Sequence, residues 1–293
     1  MVALVTGAQG FIGGHAAARL RADGWSVVGA GRPEVELASN AFDELLADTC
    51  PDVVVHCAGP ASVQMSIEDP AADRAGSVGV VERLAAGILA LPAPPRLVLL
   101  SSAAVYGQPD ALPIAEDHPL RPVSPYGEHR VACEELVRAR CAHDGLRAVC
   151  LRVFSAYGPG LRRQLLWDIC RRAAQGDEVE LAGTGEESRD FGHVTDVAAA
   201  VAAATGAPGW DGDPYNVGSG AQTTVREVAE RLLERTGVAL SFTGLRRPGD
   251  PPHWRADTTA LERLGFESAV PFAEGARAYA QWAADQLRGV VAR

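Results

Sequence analysis

The chain has 293 residues, 47% of them hydrophobic, which suits one large domain or two closely joined ones whose core needs no covalent staple. Against 37 acidic residues stand 27 basic ones, a net charge of −10 that argues against nucleic acid or an anionic membrane surface as partner. No apolar run reaches the roughly 20 residues that cross a bilayer, and Val2–Val5 leads directly into a glycine loop, so no signal peptide and a cytoplasmic location are expected.

In chain order, Val2–Thr6, Ser26–Ala30, Asp52–Cys57, Arg96–Ser101 and Arg147–Phe154 read as short buried strands. Helical stretches lie between them, clearest at Phe11–Ala22, Asn40–Asp48, Val80–Leu91 and Tyr126–His143. Apolar strands alternating with helices predict a doubly wound parallel sheet of the α/β, Rossmann type. The second half is less regular. Helices are expected at Arg162–Gln175, Val194–Ala204, Val225–Thr236, Thr258–Leu264 and Phe272–Leu287. Short strands are expected at Glu178–Leu181, Tyr215–Val217 and Leu240–Thr243, with a proline- and arginine-rich loop at Arg246–Trp254. The predicted division is a dinucleotide-binding domain over 1–155, with 188–218 returning to it. A smaller α/β substrate domain over 156–187 and 219–293 caps the sheet.

Cys50, Cys57, Cys133, Cys141, Cys150 and Cys170 form no CxxC pair and read as free thiols. No HExxH or Cys/His cluster suggests a metal. All 27 basic residues are arginine. With no lysine, Schiff-base and lysine general-base chemistry are excluded.

The opening VTGAQGFIGG places Gly7, Gly10 and Gly13 between a strand and a helix, with Phe11 and Ile12 starting that helix. Glycine lets the backbone approach a pyrophosphate, and the helix N-terminus offers free N–H groups and a positive dipole end. This predicts a dinucleotide site. After the second strand comes Gly29-Ala30-Gly31-Arg32 rather than an acid for the ribose 2′-hydroxyl. Arg32 suits a 2′-phosphate, so NADP is expected over NAD. Glu36 and Leu37 fall where an adenine-contacting loop is expected.

Ser101-Ser102 closes the fourth strand, and Tyr126 opens the next long helix with Arg130 one turn later. The i,i+4 spacing puts phenol and guanidinium on one face. A cation beside a phenol favours the phenolate, and Ser102 is placed to hydrogen-bond the same substrate oxygen. The expected catalytic set is Ser102, Tyr126 and Arg130, moving a proton in a hydroxyl–ketone interconversion beside a nicotinamide.

These residues resemble the extended short-chain dehydrogenase/reductases, in their nucleotide-sugar epimerase and 4-ketoreductase branch. The resemblance runs through TGAQGFIG, PDVVVHCAG, LLSSAAVYG, EDHPLRPVSPYGEHR, LRVFSAYGPG, ESRDFGHVTDV, YNVGSG and RRPGDPP, in family order. It implies a nucleotide-diphosphate sugar as substrate, Arg189 and Arg247 as diphosphate contacts, Ser155 near the substrate, and a homodimer formed through two long helices. The short segment before PDVVVH resembles GDP-4-keto-6-deoxymannose reductases. The family's Tyr-x-x-x-Lys is here Tyr-x-x-x-Arg, and two family asparagines are Gly76 and Ser155. The acid pair that sugar dehydratases carry after the catalytic hydroxyl is here Ala103 and Ala104, against dehydration.

Three readings follow. The first is NAD(P)-dependent 4-epimerisation or 4-keto reduction of a nucleotide sugar. The second is a redox-free nucleotide-sugar isomerase or mutase on the same fold, using no dinucleotide. The third is a non-catalytic nucleotide-binding module.

Overall fold

The computed structural model describes residues 1–31, 36, 37, 39–176, 178–245 and 253–291, with only the backbone for 289–291. The first half runs β1 (Val2–Thr6), α1 (Phe11–Ala22), β2 (Ser26–Ala30), α2 (Asn40–Thr49), β3 (Val53–His56), α3 (Val63–Glu68), α4 (Pro70–Arg74), α5 (Val80–Leu89), β4 (Arg96–Ser102), α6 (Pro125–Asp144) and β5 (Ala148–Val153). Then come β6 (Ser155–Tyr157), α7 (Gln164–Gln175), β7 (Val179–Leu181), β8 (Ser188–Arg189), β9 (Phe191–His193), α8 (Val194–Ala204) and β10 (Asp211–Val217). The chain closes with β11 (Thr223–Thr224), α9 (Val225–Leu233), β12 (Leu240–Phe242), α10 (Thr259–Glu262) and α11 (Phe272–Val291).

The main sheet has the order β10-β5-β4-β3-β1-β2, with every neighbouring pair parallel. The chain leaves β1 toward β2, then crosses to β3 on the other side. That reversal opens a crevice at the carboxyl ends of β1 and β3, the usual ligand position in such sheets. β1 from Ala3 onward, all of β3 and all of β5 are buried. This is why their sequences are mostly apolar rather than alternating, broken by the buried Thr6, His56 and Arg152. One core packs α1 and α8 against one face, through Ala16, Leu20, Val197 and Val201. The other packs α2, α5 and α6 against the opposite face, through Phe42, Leu46, Leu84, Ile88 and Val137. The apolar stripes of α5 and α6 are therefore used within the chain. A third core joins α7, α9 and α11 through Ile169, Leu232 and Tyr279 and forms the cap.

Several features lie outside the sequence-based expectation, among them the short strands β6, β8, β9 and β11. The segment 63–74 forms two short helices. Ser62 caps the first by accepting from Met65 N–H, and Asp69 caps the second by accepting from Ala72 N–H, with Pro70 in its first turn. Ser and Asp caps and an N-terminal proline are readable signals, but neither helix is long enough to show periodicity. A π-helical turn follows at Ala75–Gly79. The strand expected at Tyr215–Val217 begins four residues earlier, at Asp211.

His56 closes β3 almost fully buried, its Nδ1 2.8 Å from Thr6 Oγ1. Burial, and then the Arg130 charge, push its pKa from 6.5 down to about 3. The folded value lies below the unfolded one. His56 therefore adds stability above pH 6.5, and that contribution is lost as pH falls through about 3. Urea titrations should show stability declining below pH 6.5 with a slope approaching about 1.4 kcal/mol per pH unit from this group. The same series on His56→Gln should be flatter.

Candidate active site

The loop after β1 is built by close backbone approaches. Gly7 turns at φ +68, and a Cβ at Gly13 would lie 2.2 Å from the Gly7 carbonyl oxygen. Only glycine at 13 lets α1 start directly against the turn. Gly10 is the N-cap of α1 with no side-chain cap, and no acid stands in the first turn. The helix N-terminus is left for an anion, so these residues fit a dinucleotide pyrophosphate. Phe11 packs edge-on to His15, and Ile12 packs against the first core. Gly13→Ala should abolish measurable dinucleotide binding by calorimetry and lower the melting temperature, because the methyl forces the whole loop to move.

The adenine side is less fully placed. Leu37 is buried in the second core. The Glu36 carbonyl accepts from Ser39 N–H and Oγ. Arg32 lies outside the described residues.

Ser102 ends β4 and caps a 3-10 turn over Ala103–Tyr106, its Oγ accepting from Ala104 N–H at 3.2 Å. Tyr126 is the second residue of α6. Ser124 caps that helix and Pro125 stands in its first turn. Two contacts bring these elements together. A Cβ at Gly127 would meet the Ala104 carbonyl oxygen at 2.7 Å, so the start of α6 presses against the turn that follows Ser102. The Tyr126 N–H donates to Ser66 Oγ at 3.1 Å, and Ser66 is fully buried on α3. Sequence reasoning missed Ser66. Its signal was the cap-and-proline pattern of 62–70.

Arg130, one turn along α6, is 6% exposed and lies 5.1 Å from the centre of the Tyr126 ring. Its Nη2 donates to the Pro60 carbonyl at 2.5 Å and its Nη1 to the Leu100 carbonyl at 3.4 Å. Burial alone would lower its pKa, but Tyr126, Cys133 and Asp73 outweigh that and hold it above the ordinary arginine value. The guanidinium is therefore a fixed charge beside the phenol.

A cavity of about 650 Å³ lies between the sheet's carboxyl edge and the cap. Ser155 and Arg189, which the resemblance implies near the substrate, both line it; Arg247 lies outside the described residues. Ser102, Tyr126 and Arg130 are not among its walls. Val63, which opens the helix that carries Ser66, does line it and links the two places. The Arg189 guanidinium stacks on Trp254 at 5.4 Å and its Nη1 donates to the Ser188 carbonyl. Beside it, Asp190 accepts from the N–H groups of Ser219, Gly220 and Ala256, which fixes the Arg189 backbone. The cavity also holds residues not singled out from sequence: Asp168, Arg171 and Arg172 of α7, and Gln164 at φ +66. Exposed-looking charges on an amphipathic helix gave no signal of a cavity.

A glycine-cradled helix N-terminus at the sheet crossover, with a serine–tyrosine–cation set at the neighbouring strand end, defines a short-chain dehydrogenase/reductase of the extended type. The chain belongs to the NAD dependent epimerase/dehydratase family, whose model matches residues 3–218. A UDP-glucose 4-epimerase of Mycolicibacterium smegmatis is 32% identical over 94% of this chain and 96% of its own length. The structure of a UDP-glucose 4-epimerase of Thermus thermophilus in complex with NAD is 30% identical, with a TM-score of 0.87 over 99% of both chains. That of a UDP-glucose 4-epimerase of Thermotoga maritima with UDP-glucose is 25% identical, with a TM-score of 0.90 over 98% of this chain and 100% of the other.

Proposed function

We propose that this protein inverts or reduces C4 of a nucleotide-diphosphate hexose, with a UDP-hexose as the first substrate to test. The observation that carries the reading is the Arg130 guanidinium 5.1 Å from the Tyr126 ring, at a helix start that Ser66 holds by the Tyr126 N–H and that presses on the turn after Ser102. A bound NAD(P) supplies the hydride acceptor and donor. Tyr126 takes and returns the proton of the sugar 4-hydroxyl, and Ser102 hydrogen-bonds the same oxygen. Arg130 keeps a positive charge at the phenol. Arg189 pairs with the diphosphate, for which a guanidinium fork is well shaped. The names of the relatives support UDP over the GDP expected from the short segment before β3. The absence of a carboxylate in Gly29–Arg32 supports NADP.

One observation favours the second reading, a redox-free isomerase: both terminal nitrogens of Arg130 already face backbone carbonyls. The deciding experiment incubates the protein with UDP-, GDP- and dTDP-hexoses and either dinucleotide, and follows the sugar by proton NMR. Dinucleotide-dependent conversion at C4 is expected. Conversion in stripped protein with no gain on adding dinucleotide would support the isomerase instead. No turnover of any sugar would leave a binding module.

A further inference from the structure

Arg130 is longer than a lysine and ends in a rigid fork, so it needs acceptors at defined places. It finds them on two neighbouring strand ends. Leu100 belongs to β4, and Pro60 belongs to the segment that leaves β3. The shorter bond is to Pro60, so the seat of Pro60 decides where the guanidinium rests. Gly59 turns this segment at φ +131. On its far side the Pro60 ring meets the π-helical turn, where a Cβ at Gly76 would lie 3.0 Å from Pro60 Cγ and 3.3 Å from Cδ. Both distances are tighter than ordinary van der Waals contact. A side chain at 76 would push the ring, and the carbonyl attached to it, away from Arg130. Nε of Arg130 is buried without a partner, so the two carbonyl bonds carry much of the guanidinium's seating.

We propose that Gly76 and Pro60 are positioning residues for the site's cation. The bare backbone at 76 lets the Pro60 ring seat, and the Pro60 carbonyl then holds Arg130 against Tyr126. Three positions on three elements thus act as one unit, and a substitution at 76 is felt at the phenol without touching it.

The unit predicts coupling between two positions that bear no reacting group. The activity arm rests on the proposed function; the stability arm does not. Gly76→Ala, Pro60→Ala and the double variant are compared with the unaltered protein. Gly76→Ala should lower kcat about tenfold with KM for the nucleotide sugar unchanged. In the Pro60→Ala background, where the ring atoms are gone, the same change should have no further effect. Urea midpoints should follow the same pattern, with a loss only when the proline ring is present. An equal loss of kcat from Gly76→Ala in both backgrounds, or no loss in either, would overturn the proposal. If no variant and no parent turns over any nucleotide sugar, the proposed function fails, and the urea midpoints alone decide: a coupled loss upholds the unit and additive losses overturn it.

Discussion

Tyr126→Phe leaves the fold and the nucleotide-sugar affinity in place and lowers kcat by about a thousandfold, within the range that a positioned proton-transfer group supplies. The phenol's surroundings come from its backbone and from its neighbours. Ser66 Oγ holds the Tyr126 N–H, and the Ser124 cap and Pro125 fix the helix start. None of these depends on the phenolic oxygen. Removing that oxygen therefore deletes the proton carrier and its interaction with Arg130, and leaves the helix start as it is. Steady-state kinetics separate the outcomes: a fall in kcat with KM kept marks a transition-state role, whereas a rise in KM alone would mark a binding role. Full turnover by Tyr126→Phe would contradict the mechanism.

Glu134→Ala costs stability on the order of 3–5 kcal/mol, the usual penalty for leaving one partner of a buried ion pair alone. Glu134 and Arg152 have side chains only 1% and 2% exposed, with Arg152 Nη2 at 2.7 Å from Glu134 Oε2. The pair is the hub of a wider network. Ser101 Oγ donates to Glu134 at 2.5 Å, Arg152 donates to the Tyr106 hydroxyl, and Tyr106 donates to Asn216 Oδ1. It ties β4, α6, β5 and β10 together directly behind Ser102 and Arg130. The double change Glu134→Leu with Arg152→Met removes both charges and should cost much less than Glu134→Ala. Chemical denaturation of the three proteins reads this directly. A loss below about 1 kcal/mol for Glu134→Ala would mean that the pair is solvated in solution, as surface pairs are.

The parallel sheet was legible because β1, β3, β4 and β5 are largely buried, and a strand with no wet side carries few polar positions, such as Arg152 of β5, to blur it. The glycine loop was legible for a different reason. Gly7 and Gly13 sit where a methyl group cannot, so the backbone geometry is written as residue type. Ser102, Tyr126 and Arg130 were legible through their places at a strand end and a helix start. The supporting contacts were not. Ser66 reaches Tyr126 across 60 positions, and Pro60 reaches Arg130 across 70. No local periodicity encodes such pairs. The helices over 63–74 were missed because each is barely more than one turn, and their caps look like loop residues. Arg171 and Arg172 were read only as part of a helix over Arg162–Gln175, and the fold of α7 over the cavity brings them to its wall. Leu37, expected beside an adenine, lies in the second core, and its residue type suits either place.

The most direct test of the account is mass spectrometry of the small molecules released when freshly purified protein is denatured, followed by calorimetric titration with NAD and NADP. NAD(H) or NADP(H) is expected in the released fraction, or tight binding of one of them to emptied protein. A nucleotide sugar released without any dinucleotide, together with no heat on adding either one, would contradict hydride chemistry at this site.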